Sequence, residues 1–436
     1  MLVSKQLLQR RRLLFSIVVF LTGIAAIFII ACLQFYKEPI RSDGLGYYFY
    51  LPAFFIHNDI GLQTLAAERF GGYIPPVAGA TTYAATGQYL IKYPMGVALL
   101  MTPFFLIACL IALVTGAAID GFSFPFQYAA AVSGLFYAAA GLSILWSVLQ
   151  KHFKQNTIIL VLSGLLFSTN LFHYATYDSL FSHAYSFFLF SAFLYFVERV
   201  YSQYSARNLM ATGAVAGLIL VTRPTNGLWL IMGLLYGVTS FQALRDRCSA
   251  WKHQIKDGLL ALLPMLGIIS LQVLYWKTIT GKLVVYSYPD EGFNFLKPEI
   301  LNVLFSVRKG LFFWSPLLLT IIPGMFYIRK RAPEYFVPAL VFLALNTYVI
   351  SSWWYWSYGA SFGSRAFLES LPIFAIALCA LYEGIKTVNG KRAMRATIFC
   401  CALLSTWLMA KYWTHVIPYD NTTWSHFVDT FWTLSE

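Results

Sequence analysis

Long apolar runs separated by short polar linkers recur along the whole chain. The first, Leu13 to Leu33, carries no charge over twenty-one residues, enough for a helix to cross the ~30 Å hydrocarbon layer of a bilayer. Further runs cover Pro94 to Thr115, Pro125 to Leu149, Thr157 to Ala175, Leu180 to Val200, Leu209 to Val221, Asn226 to Phe241, Gly258 to Trp276, Leu311 to Ile328, Tyr335 to Ser351, Ala366 to Ile385 and Ala393 to Tyr412. The pattern predicts an all-α integral membrane protein with about eleven to thirteen transmembrane helices. No polar stretch is long enough for a separate globular domain, so residues 1–436 read as one polytopic unit.

The linkers supply orientation. Five basic clusters lie between runs: Lys151 with Lys154, Arg199 with Arg207, Arg245 with Arg247, Lys252 and Lys256, then Arg329 to Arg331, and Lys386 with Lys391, Arg392 and Arg395. Such clusters face the cytoplasm by the positive-inside tendency. Lys5, Arg10, Arg11 and Arg12 precede the first run, which is longer than a signal peptide's and lacks a small-residue cleavage site, so it reads as a retained first helix with its N-terminus inside. Between the outward loop after that helix and the inward Lys151 the number of crossings must be odd, yet only two runs lie there; either one is re-entrant, or short crossings are hidden, or the positive-inside tendency fails at Lys151. Arg223-Pro224 interrupts two short runs, as expected of a broken helix pair, because proline lacks a backbone donor and its predecessor avoids helix geometry. The longest polar segment, 34–93, contains the amphipathic stretches Tyr47 to Ile56 and Leu62 to Phe70 and reads as a first extracytoplasmic loop carrying interfacial helices.

Composition supports the membrane class: 59% of residues are hydrophobic, 11% are charged, and the mean hydropathy is +0.65. The net charge of +13 falls in linkers, where it meets lipid headgroups rather than nucleic acid. The six cysteines form neither a disulfide framework nor a zinc spacing.

Functional groups sit in the outward linkers. They are Asp43 in Arg41-Ser42-Asp43-Gly44, then Lys92, Asp178 with His183, Arg223, Arg308 with Lys309, and Arg365. One or two carboxylates with several cations, in a site shielded from water, suit transfer from a phosphate-linked donor: a carboxylate takes a hydroxyl proton while cations hold the departing phosphate. The same cations also suit headgroup anchoring near span ends. His183 reads as a packing histidine before a metal ligand, and Trp353-Trp354-Tyr355-Trp356 as an interface belt before a sugar platform.

Arg41-Ser42-Asp43 after the first helix, Lys92-Tyr93-Pro94, Tyr177-Asp178 and Ser361-Phe362-Gly363-Ser364-Arg365 together resemble the GT-C class of polytopic glycosyltransferases, nearest in layout to protein O-mannosyltransferases and lipid A aminoarabinose transferases. The resemblance covers most of the chain through the order of short motifs. It implies Asp43 as catalytic base, Asp178 as the second acidic residue, and Lys92 as a phosphate contact, while Arg223, Arg308, Lys309 and Arg365 read from their charge and their place in outward linkers as further donor-phosphate ligands. It also implies a polyprenyl-phosphate-linked sugar as donor. Relatives often carry an acidic pair where this chain has the single Asp43, and an acidic residue before the lysine where it has Ile91. A tightly bound zinc is therefore not expected, while a divalent metal stays open.

The resulting expectation is an inverting glycosyltransferase of a bacterial inner membrane. It would work on the periplasmic side and use a lipid, glycan or protein acceptor. Two rivals stand beside it: a transporter or flippase of lipid-linked sugar, and an O-antigen polymerase or ligase.

Overall fold

The computed structural model describes residues 2–36, 38–253 and 255–434, with side chains described outside 2–8 and 250–257. The side chains of Lys5, Lys252 and Lys256, counted above among the basic positions, thus lie outside the described residues. The chain is an essentially all-α, multi-pass membrane protein. Seven helical stretches among the described residues are long and apolar enough to cross a membrane, and two further apolar helices are shorter.

Helix α1 (Leu2–Cys32) leads into the first loop, where α2 (Ser42–Tyr48), α3 (Tyr50–Phe55) and α4 (Gln63–Phe70) occupy the expected amphipathic stretches. The loop closes with an unexpected two-stranded antiparallel hairpin, β1 (Ala80–Thr82) on β2 (Tyr89–Ile91), in which Ala80 faces Ile91. Then follow α5 (Gly96–Thr115), α6 (Phe124–Leu149), α7 (Gln155–Ser168), α8 (Leu171–Thr176), α9 (Ser182–Ser202) and α10 (Ala206–Thr222). Beyond the Arg223-Pro224 break lie α11 (Ile231–Leu234), α12 (Phe241–His253) and α13 (Ile255–Thr280). The remaining helices are α14 (Ile300–Phe305), α15 (Leu311–Trp314), α16 (Ile321–Arg331), α17 (Phe336–Ser351), α18 (Leu371–Gly384), α19 (Val388–Trp413) and α20 (Trp424–Asp429).

Helix α18 is central: with the turn before it, 89% of its most apolar window is buried, against 11% for α13 at the periphery. Glycines set the closest approaches. A side chain at Gly134 of α6 would strike the carbonyl of Ser179, and one at Gly213 of α10 the carbonyl of Ala261 in α13.

The polar linkers sort into two ends. At one, Arg11 of α1 donates to Gln155 (3.3 Å), Arg12 bonds Ser147 near the end of α6, and Lys151 pairs with Glu198. His152 lies 3.1 Å from Glu334 and Arg331 3.3 Å from Glu383 at this same end. The other end carries the first loop. Helix α6 runs between them, since Ile40 N donates to Gln127 near its start (2.9 Å). The linker after α5 returns to the first loop, where Tyr48 OH donates to Gly121 O (2.5 Å) and Gly121 packs on Pro52. The linkers on both sides of α5 thus touch the first loop, since Tyr50 OH also donates to Tyr93 O just before it (2.8 Å).

Candidate functional site

Asp43 lies in the first turn of α2, which is held close to its surroundings by two glycines: a side chain at Gly44 would meet Leu180 at 2.6 Å, and one at Gly46 the Tyr93 ring at 2.5 Å. The missing side chain at Gly46 lets Tyr93 lie flat against α2, stacked on Tyr47 with ring centroids 4.4 Å apart. Its hydroxyl then donates to Asp43 Oδ1 at 2.8 Å. Arg365 donates to Asp43 Oδ2 at 2.7 Å and, through its other terminal nitrogen, to the Tyr358 carbonyl at 2.6 Å. Burial pushes the Asp43 carboxyl up, but the Arg365 charge and the Tyr93 and Arg365 hydrogen bonds outweigh it, and the group titrates below the ordinary carboxylate value. Asp43 is thus ionised at neutral pH.

The pair opens onto a cavity of about 610 Å³. Lys92 and Arg223 also line it. Lys92 leaves β2 toward the cavity and pairs with Glu291 at 2.5 Å, with the Tyr288 ring 4.9 Å from its ammonium. Arg223 is presented by the break predicted from Arg223-Pro224: α10 ends at Thr222, Arg223 is extended, and a tight turn over Pro224–Leu230 follows. Its guanidinium donates to Glu369 Oε1 at 2.8 Å, and His183 Nδ1 lies 3.0 Å from the same oxygen. The remaining wall is largely aromatic and apolar, including Phe181, Trp276, Val284, Phe293, Trp353 and Trp354. Trp353, Trp354 and Tyr355, read from sequence as an interface belt, line this cavity.

Four of the seven candidate residues, Asp43, Lys92, Arg223 and Arg365, are brought together here. The other three do not line the cavity. Asp178 pairs with Arg41 at 2.9 Å and with His173 Nε2 at 2.9 Å. Trp413 donates its ring N–H to His173 Nδ1 (3.0 Å), so Nδ1 is the acceptor and Nε2–H donates to Asp178. Arg308 forms a two-bond pair with Asp420 (2.9 and 3.0 Å) and donates to the Tyr355 hydroxyl at 2.7 Å. Lys309 is 2% exposed and ties two loops together by donating to the carbonyls of Ser361 and Tyr419. Burial pushes its pKa down to about 7, with Arg365 and Arg308 adding to the shift against Asp420. A phosphate in the cavity has no access to it. Among the described residues, no group of three or more His, Cys, Asp or Glu side chains is placed to hold a metal ion.

Two cavity-wall groups, Tyr93 and Glu291, and one behind the wall, Glu369, are not singled out by the sequence. Tyr93 was read only as part of Lys92-Tyr93-Pro94, and Glu291 lies in a long irregular linker. Glu369 did carry a signal: a carboxylate inside an apolar run is costly unless it is paired. No protein-family model and no curated protein matches the chain.

Proposed function

We propose that this protein is a membrane glycosyltransferase of GT-C-like architecture. It moves a monosaccharide from a polyprenyl-phosphate donor to a lipid, glycan or protein acceptor, with inversion, at the extracytoplasmic face of a bacterial inner membrane. The observation that carries the reading is the convergence of Asp43, Lys92, Arg223 and Arg365, from four distant parts of the sequence, on one cavity with aromatic walls.

In this mechanism Asp43 is the general base. Its two oxygens each accept one bond, from Tyr93 and Arg365, and an ionised carboxylate has further lone pairs for an acceptor hydroxyl. Because its pKa is held low, Asp43 takes the proton only as the acceptor oxygen attacks the anomeric carbon and becomes acidic. Lys92 and Arg223 stabilise the charge that grows on the departing phosphate. Such stabilisation is strongest where water is excluded. The aromatic wall packs the apolar faces of the sugar and the first isoprene units.

The test is transfer of radiolabelled sugar from a panel of polyprenyl-phosphate monosaccharides to membrane acceptors, comparing purified wild type with Asp43→Asn. Turnover is expected to fall by roughly 10² to 10⁴ in the variant while donor binding persists. The break at Arg223-Pro224 beside the cavity also suits a transporter. Donor binding without transfer by the wild type would favour that second reading.

A further inference from the structure

Every cation on the cavity wall already has a carboxylate: Arg365 holds Asp43, Arg223 holds Glu369, and Lys92 holds Glu291. Among the described residues, an anion entering this cavity therefore meets only cations that already have a carboxylate partner. The three acids are not equivalent. Glu369 is 2% exposed and sits behind Arg223, which keeps further N–H donors for a ligand while bonded to it. Asp43 is bonded by two residues.

Glu291 differs in both respects. It stands on the irregular segment between α13 and α14, which supplies Val284 to Tyr288, Glu291 and Phe293 to the cavity wall. Its carboxylate makes one pairing, to Lys92, and the side chain is 22% exposed. The segment is pinned on either side of it: Ser287 Oγ donates to the Lys92 carbonyl (2.6 Å), Trp354 N to the Gly292 carbonyl (2.9 Å) and Asn294 N to the Ser352 carbonyl (2.6 Å). The glutamate can therefore leave the ammonium by side-chain rotation while the segment keeps its anchors.

We infer that Glu291 occupies on Lys92 the place that the donor's phosphate takes, so that it is a built-in competitor setting donor affinity, and that donor entry exchanges one anion for the other. The inference rests on the donor reading given above and adds to it a residue that opposes binding. A carboxylate that only braced its segment would have the reverse effect on removal.

Binding of farnesyl phosphate, a short polyprenyl phosphate, to the purified full-length protein in detergent would be measured by calorimetry for wild type, Glu291→Gln, Glu291→Ala, Lys92→Gln and the Lys92→Gln/Glu291→Gln double variant. Removing a competing partly exposed charge should tighten binding roughly three- to tenfold in both Glu291 variants. Lys92→Gln should weaken it, and the gain from Glu291→Gln should vanish in the double variant. Two Glu291 variants guard against one folding poorly, and thermal unfolding reports folding for each. Unchanged or weaker binding in folded Glu291 variants, with wild type binding normally, overturns this inference alone. No binding by any of the proteins overturns the donor reading and this inference with it.

Discussion

At the scale of single residues, the site is a set of opposed charges whose balance can be shifted one group at a time. Tyr93 donates to Asp43 and helps keep that carboxyl below its ordinary value. Tyr93→Phe removes a bond to the charged form, so the Asp43 pKa rises. A base must be ionised to work, so the acid limb of the pH–rate profile should move to higher pH. A profile unchanged from wild type would remove Tyr93 from the site's electrostatics. Glu369→Gln leaves Arg223 and His183 facing a neutral amide. Breaking a buried pair costs roughly 3 kcal/mol, the lower end applying because Arg223 is 21% exposed on its side chain. Thermal unfolding in detergent should show the loss, and Arg223→Met combined with Glu369→Gln should cost less than the two changes summed. Asp43 was legible in the sequence because a carboxylate just beyond an apolar run stands out. Glu369 is marked by a different rule, a carboxylate inside an apolar run, which needs a partner. Glu291 could not be read, since nothing in its linker marks it except its distance to Lys92, 199 positions away.

At the scale of elements, hydropathy located the apolar runs, but not the places where they break. The run Thr157 to Ala175 is two helices, because Thr169 has an extended backbone (φ −133°, ψ −179°) that ends the first of them. The run Leu311 to Ile328 is interrupted at Ser315-Pro316. A window average over eighteen or so residues does not register one residue that diverts the backbone. Helix α10 carries Gly213 and Gly217, a small-xxx-small pair of the kind that lets membrane helices touch backbone to backbone. Both face α13, Gly213 at Ala261 and Gly217 at Met265. Gly213→Val should therefore lower stability by about 1 to 3 kcal/mol through overpacking. Gly267→Ala in α13, where nothing lies within 4 Å, should cost nothing by the same unfolding measurement. Because Ile91 N of the hairpin donates to Tyr275 OH of α13 (2.9 Å) and Met95 N, just beyond it, donates to Gln272 Oε1 of α13 (2.8 Å), the Gly213 variant should also weaken donor binding through Lys92.

At the scale of the whole molecule, the arrangement has a basic end and a cavity end. In a cysteine-free background, Val77→Cys, at the cavity mouth and 85% exposed, and Lys154→Cys, at the basic end, should react with a membrane-impermeant maleimide from opposite sides. Labelling of both in intact cells would contradict the two-ended arrangement. The sequence by itself determined the class of protein, the approximate runs, the long first loop and the break at Arg223, because each depends on local composition or on one residue's backbone restriction. It also pointed to most of the charged groups that share the cavity. Only the tertiary structure decided which of them meet and in what state. Asp43 finds Arg365 across 322 positions and Arg223 finds Glu369 across 146, while Asp178, Arg308 and Lys309 are drawn into pairings elsewhere. The physical reason is that a buried charge is stable only beside a counter-charge or hydrogen-bond partner, and in a helical membrane protein that partner is chosen by how helices pack, not by how near it lies along the chain.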